Sequence, residues 1–186
     1  AERLRVVTVQ PGTSRAEGWN LALAAATGEF ALLLDPGDTL APELLYECAR
    51  VLADPDVGLV YGDEDRANGS GDFFHPIFKP GWSPDRLLSL NYIGRPCVWR
   101  LGTLRGLGGF RAAHAGAEEW DLVLRYAGSR QSAARIPRCL YHRFIAAVPP
   151  AEVFSLVMAS SSNDTIRHRA SRSTLVKGTR WEREFA

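Results

Sequence analysis

Residues 30–34, Phe-Ala-Leu-Leu-Leu, carry no polar side chain and run straight into Asp35. Successive strand residues face opposite sides of a sheet, so FALLLD (30–35) predicts a strand covered on both faces, as in a parallel sheet flanked by helices. The flanking segments fit that frame. LRVVTV (4–9) is a short β-branched run that predicts a strand, and NLALAAAT (20–27) is Ala/Leu-rich and predicts a helix ended by a left-handed Gly28. A second helix is expected from Pro42 to Ala53, with Pro42 and Glu43 suited to its first turn, followed by a strand over 58–63.

Residues 66–82 predict irregular chain around the NGSG turn at 68–71. Ser83, Pro84 and Asp85 read as a helix start, CVWR (97–100) as a short strand, and the Leu-containing stretch closed by Gly108 and Gly109 as a helix. A helix over 118–128 and a strand over 135–144 complete the pattern. Strands alternating with helices predict an α/β layer fold with a mainly parallel sheet, in one domain over residues 1–147. Residues 148–186 lose the periodicity apart from a short helix expected over 151–158, and are expected to form a partly flexible appendage.

With 22 Lys+Arg against 21 Asp+Glu the net charge is +1, which argues against a dedicated nucleic-acid binder, since that needs a basic face to displace counterions. Of the 22 basic residues only Lys79 and Lys177 are lysines, a skew that reads as genomic base composition rather than chemistry. Cys48, Cys97 and Cys139 are odd in number and in no CxxC spacing, which fits reduced thiols in the cytosol. There is no secretory-type N-terminus and no transmembrane segment is expected, so the chain reads as soluble.

Ligands of open α/β sheets bind beyond the carboxyl ends of strands. Asp35, Asp63 and His142 are predicted at such ends, and Glu118 and Glu119 open a helix. Converging carboxylates and an imidazole suit a hard divalent cation or a general base. Each also has a plain structural reading. Asp35-Pro36-Gly37-Asp38 is a good turn sequence, Asp63-Glu64-Asp65 could be a solvated loop, Glu118 and Glu119 complement a helix dipole, and His142 could be a half-buried strand histidine.

The order of the segments is more specific than any one of them. GWNLALAAATGEFALLLDPGDTLAPELL, DVGLVYGDEDR, FKPGWSPDRLLSLNYIG, LGGFR, EEWDLVLR and IPRCLYHR follow one another within the stretch from residue 4 to residue 144. In that order they resemble the family 2 glycosyltransferases of the GT-A fold, in the bacterial cell-surface polysaccharide branch. The resemblance implies an inverting enzyme, placed in the cytoplasm or at the inner face of the membrane. It would move a sugar from a nucleotide diphosphate-sugar donor to a hydroxyl of a glycan or lipid-linked glycan. It also implies Mn²⁺ or Mg²⁺, with Asp35 as first aspartate of the DxD motif, Asp38 and His142 as further ligands, and Glu119 as general base. Asp63, Glu64 and Asp65 match the segment beside the donor sugar. Trp82, Asp85, Asn91 and Tyr92 match the acceptor side, and Trp120 would stack on a sugar face.

Three residues depart from the family pattern. The second DxD carboxylate is replaced, since the motif reads Asp35-Pro36-Gly37-Asp38; Glu119 stands for the usual Asp; and Arg95 stands where NYIGH-type relatives carry His. The resemblance also implies about one and a half βα units of nucleotide-binding fold ahead of residue 1, whose absence would leave a sheet edge uncovered and open to self-association. The alternative function is a catalytically impaired GT-A-like module that serves as a glycan- or protein-binding scaffold.

Overall fold

The computed structural model describes residues 6–145 and the backbone of residues 155–159. Helix α1 (Arg15–Ala25) starts five residues before its predicted start, because Ser14 and Glu17 form a reciprocal capping box. The helix ends on Ala26 in an extended conformation, so Gly28 does not take the left-handed position expected of it. Strand β1 is Phe30–Leu34, β2 is Thr39–Leu40, and α2 is Leu44–Leu52. Strand β3 (Val57–Ala67) is longer than predicted and turns at 68–71 into β4 (Phe73–Ile77), inside the stretch expected to be irregular. The short helix α3 (Pro84–Leu87) precedes β5 (Cys97–Arg100), which runs into α4 (Leu101–Gly106). A 3₁₀ turn at Ala112–His114 leads to α5 (Glu118–Ala127), followed by β6 (Ser132–Phe144) and β7 (Ser155–Ala159).

The described strands form one sheet in the order β2-β6-β3-β5-β1-β7, with β4 on β3. It is α/β as expected, but it is mixed rather than mainly parallel. Among the described strands only β3 and β6 pair in parallel; β1 lies between antiparallel β5 and β7. An all-apolar strand reports cover on both faces, not the direction of its neighbours. The alternation proves the cover. Ala31 and Leu33 join a core with Trp19 and Leu23 of α1, Leu104 of α4, Leu122 of α5 and Phe110 from the loop after α4, while Phe30 and Leu32 join Leu44, Cys48 and Leu52 of α2 on the other face.

Two further expectations change. Residues 6–9 of the predicted first strand have no regular structure, and residues 4 and 5 lie outside the described ones. Strand β1 pairs with β7 over five residues, Phe30 opposite Ala159 through Leu34 opposite Ser155. Those residues fall where a short helix was predicted. Backbone groups of an edge strand are satisfied by adding a strand, which a helix there could not do. The rest of the predicted appendage lies outside the described residues.

Strand β6 departs from simple pairing at one place. Ile136 sits opposite Gly62 and Cys139 opposite Asp63, so Pro137 and Arg138 fall in a bulge. A proline without an N–H is tolerated in a strand at such a point. Gly62 faces it closely, since a Cβ there would lie 3.3 Å from the Arg138 carbonyl oxygen.

Trp19 is 1% exposed and its ring lies 4.8 Å from that of Phe110, whereas Leu21 on the same helix is 46% exposed. Trp19→Ala is expected to lower the unfolding free energy by about 3–5 kcal/mol, and Leu21→Ala by no more than about 0.5 kcal/mol. Urea denaturation of the two variants beside the parent chain checks the contrast.

Candidate functional site

The topology fixes where the site lies. Strand β5 is antiparallel to both β1 and β3, so β1, β3 and β6 share a direction and end at one edge. The loop entering β5 reaches the same edge, and with it Arg95. Asp35 follows β1 in a tight turn, where the Asp38 N–H donates to the Asp35 carbonyl at 3.1 Å and Gly37 takes φ +87°. That is the Pro-Gly turn which the sequence allowed as the plain reading.

Arg95 is the centre of the edge. It is 3% exposed, and its Nε and Nη2 donate to Glu119 Oε2 at 3.0 Å and Oε1 at 2.8 Å, a bidentate pair. The same Nη2 donates to Asp35 Oδ1 at 3.3 Å. Burial opposes its charge, but Glu119, Tyr141 and Asp35 outweigh that and raise its pKa further. Glu119 keeps 26% of its side chain exposed and Asp35 keeps 35%, so both carboxylates remain open to a ligand from the solvent side.

The other predicted ligands are engaged elsewhere. Asp38 accepts from the Tyr141 hydroxyl at 2.5 Å through Oδ2 and from the Phe144 N–H at 2.8 Å through Oδ1, so it staples the turn to β6. Burial raises its pKa, against the lowering effect of these two bonds. His142 is hydrogen-bonded through Nδ1 to Asp65 Oδ1 at 2.7 Å, and the Phe73 ring stacks on it at 4.0 Å. Among the described residues no group of three or more His, Cys, Asp or Glu side chains is gathered to hold a metal ion. Asp35, Asp38 and His142 are therefore not brought together as a ligand set.

Asp63, Glu64 and Asp65 are not a solvated loop. They lie in β3 and are 1%, 7% and 8% exposed. Each is paired across the ladder with β6: Asp63 with Arg135 at 2.9 Å, Glu64 with Arg143 at 3.2 Å, and Asp65 with His142. Tyr92 is buried, and its hydroxyl accepts from the Ser83 N–H at 2.7 Å. Trp82 packs edge-on against Tyr126, and Trp120 Nε1 donates to the Leu87 carbonyl at 2.7 Å, tying α5 to α3. Asp85 is exposed on α3, and the Asn91 Oδ1 is buried without a hydrogen bond.

No family model matches the chain. It is 40% identical over 141 residues to the O-antigen biosynthesis protein RfbC of Myxococcus xanthus, an alignment covering 75% of this chain and 11% of RfbC. It is 35% identical over 124 residues to the uncharacterized protein y4gI of Sinorhizobium fredii, covering 66% of this chain and 14% of that protein. Among solved structures it is similar to residues 1–349 of TarS from S. aureus. The TM-score is 0.53 at 17% identity, covering 70% of this chain and 40% of that one. Against TarS in complex with UDP-GlcNAc the TM-score is 0.56 at 18% identity, covering 75% and 42%. The fold is GT-A-like, as in TarS. The chain spans about a tenth of the curated relatives it matches and about two fifths of the TarS structure.

At this edge, sequence reasoning passed over the residues that hold it together. Arg95 entered only as a departure from a motif, Lys79 only as one of two lysines, and Tyr141, Arg135 and Arg143 were given no role. The signal available was Arg135, Tyr141 and Arg143 in the strand predicted over 135–144, since basic side chains on one strand can pair with acids on a neighbour. Lys79 is 4% exposed, and its Nζ donates to the Arg95 carbonyl while its N–H donates to Asp63 Oδ1 at 2.8 Å. Burial lowers its pKa from 10.5 to about 8, against the opposing pull of Glu64 and Asp63.

A lysine whose folded pKa is depressed favours the unfolded state while protonated, so stability rises as pH passes upward from the folded toward the unfolded value. The stability of the parent chain relative to Lys79→Met should therefore rise by roughly 2 kcal/mol between about pH 8 and pH 10. Denaturant titrations of both chains at the two pH values measure it, and parallel profiles would remove Lys79 as the titrating group.

Proposed function

We propose that this chain carries the catalytic and acceptor-binding part of an inverting family 2 glycosyltransferase. It would move a sugar from a nucleotide diphosphate-sugar to a hydroxyl of a cell-surface glycan or lipid-linked glycan, with Glu119 as general base. The observation that carries the reading is the half-open carboxylate of Glu119, on the first turn of α5, held by Arg95 at the edge where β1 delivers Asp35. RfbC supports the polysaccharide context, and the complexes of TarS with UDP and UDP-GlcNAc support a nucleotide-sugar donor. Three free cysteines, two of them buried, fit the reducing cytoplasm.

The proposed chemistry is a single displacement. The acceptor hydroxyl gives its proton to Glu119 as its oxygen bonds to the anomeric carbon from the side opposite the leaving group. The anomeric C–O bond breaks, and the nucleoside diphosphate departs with the electron pair, which inverts the centre. A carboxylate has about four lone-pair positions, and Arg95 uses one on each oxygen. Glu119 thus keeps acceptor capacity on its exposed side while the guanidinium fixes its orientation, which matters because misplacement of about 1 Å can cost on the order of 10²-fold. Asp85, exposed on helix α3, which Trp120 ties to α5, would serve the acceptor side. No step runs through a divalent cation, since Asp38 and His142 are turned to other partners.

A second reading has an observation of its own: an arginine clamped on the base is also what a non-catalytic, glycan-binding scaffold would show. Incubating the chain with a panel of UDP-sugars and lipid-linked acceptors separates the two. Transfer is expected for the parent chain. Glu119→Gln should slow it by about 10²–10⁴-fold while UDP affinity by calorimetry stays within about twofold. Wild-type turnover in that variant would remove Glu119 as base, and UDP binding without transfer in the parent chain would favour the scaffold.

A further inference from the structure

Two carboxylates at the same sheet edge ordinarily call for a cation between them, and this chain supplies one of its own. Arg95 reaches both Glu119 and Asp35, and its guanidinium carbon lies 5.9 Å from the centre of the Trp19 ring, which walls it on one side. Its carbonyl is held by the buried Lys79. Nη1 is buried and bonds to nothing, so every hydrogen bond the guanidinium makes goes to these two carboxylates.

We propose that Arg95 is a resident cation of the site, which positions Glu119 and neutralises Asp35 so that the pair does not take up a free divalent ion. The inference rests on the roles given to Asp35 and Glu119 above, and it deepens them: a fixed guanidinium does the organising that the DxD pattern assigns to a metal. Its geometry differs from that of an ion. The planar fork matches one carboxylate bidentately and orients it, whereas an octahedral divalent ion demands several oxygens converging at about 2 Å. Asp35 and Glu119 are the two carboxylates within reach of the guanidinium, and Asp38, the nearest in sequence to Asp35, has both oxygens committed. Removing the guanidinium leaves two partly exposed carboxylates facing each other with no counter-charge, which is an arrangement that attracts a hard cation.

The test uses Mn²⁺ alone, titrated into the full chain and followed by the paramagnetic resonance of the free ion. The parent chain should show no saturable binding tighter than about 1 mM at this edge. Arg95→Met should bind Mn²⁺ at least about tenfold tighter, and adding Asp35→Asn should abolish that gain. Arg95→Lys, which keeps the charge, should bind as weakly as the parent. Saturable binding to the parent chain well below 1 mM that is lost on Asp35→Asn would overturn the proposal. So would a folded Arg95→Met with unchanged affinity, folding being checked by circular dichroism. If Arg95→Met does not fold, the parent chain with its Asp35→Asn control decides alone. No sugar transfer is measured, so a chain that fails as a transferase but shows this pattern keeps the resident cation, and one that transfers but binds Mn²⁺ tightly loses it.

Discussion

The parallel ladder between β3 and β6 is the constraint on which the site depends. It sets Asp65 opposite His142 and Glu64 opposite Tyr141, two residues from Arg143, with Asp63 across the bulge from Arg135. Buried ion pairs add little net stability against apolar alternatives, but leaving one partner alone costs about 3–5 kcal/mol. A one-residue slip would turn each of these side chains to the other face. The three acids therefore fix register more than they add stability, and a fixed register is what a site built from several strand ends requires.

From the ladder the order passes to the site through two short chains of contacts. Asp63 accepts from the Lys79 N–H, Lys79 holds the Arg95 carbonyl, and Arg95 holds Glu119 and Asp35. On the other side the Tyr141 hydroxyl accepts from the Asp35 N–H at 3.2 Å and donates to Asp38. Asp35 is thus held through its backbone by β6 and through its carboxylate by the loop before β5. Neither oxygen of Glu119 is free to swing, because the guanidinium that holds them is itself packed against Trp19. Rigid support of this kind is what lets a carboxylate on a helix N-terminus serve in-line chemistry.

How much of this the sequence carried follows from the physics of each signal. Strands β1 and β5 and helix α5 were legible nearly to the residue, since apolar runs and amphipathic periods are local. Asp35 and Glu119 were legible as candidates because strand ends and helix starts can be placed from pattern. Strand direction was not, because two-sided burial of Phe30–Leu34 is the same for parallel and antiparallel neighbours. The partners of Asp38 and His142 were hidden for a similar reason. Tyr141 lies 103 residues from Asp38 and Asp65 lies 77 from His142, and a register with a bulge at Pro137 cannot be counted from the chain.

The arginine excess illustrates how a compositional feature acquires chemical meaning once geometry is known. Read alone it suggested base composition, yet these side chains act through their forks. Arg105 donates to the Leu23 and Ala26 carbonyls at 2.9 and 2.7 Å, closing the end of α1, which has no basic residue in its own last turn. Arg125 joins the Leu107 and Gly109 carbonyls to Asp121, and Arg100 gathers the Leu52, Asp54 and Val57 carbonyls at the foot of the sheet. A lysine ammonium is a point charge and cannot present this planar set of donors. The same property makes Arg95 suited to grip one carboxylate with two bonds and touch a second. The residue that departs from the family motif is therefore continuous with how the rest of the chain is held, and its position at the edge where β1 and β3 end follows from a device used throughout the fold.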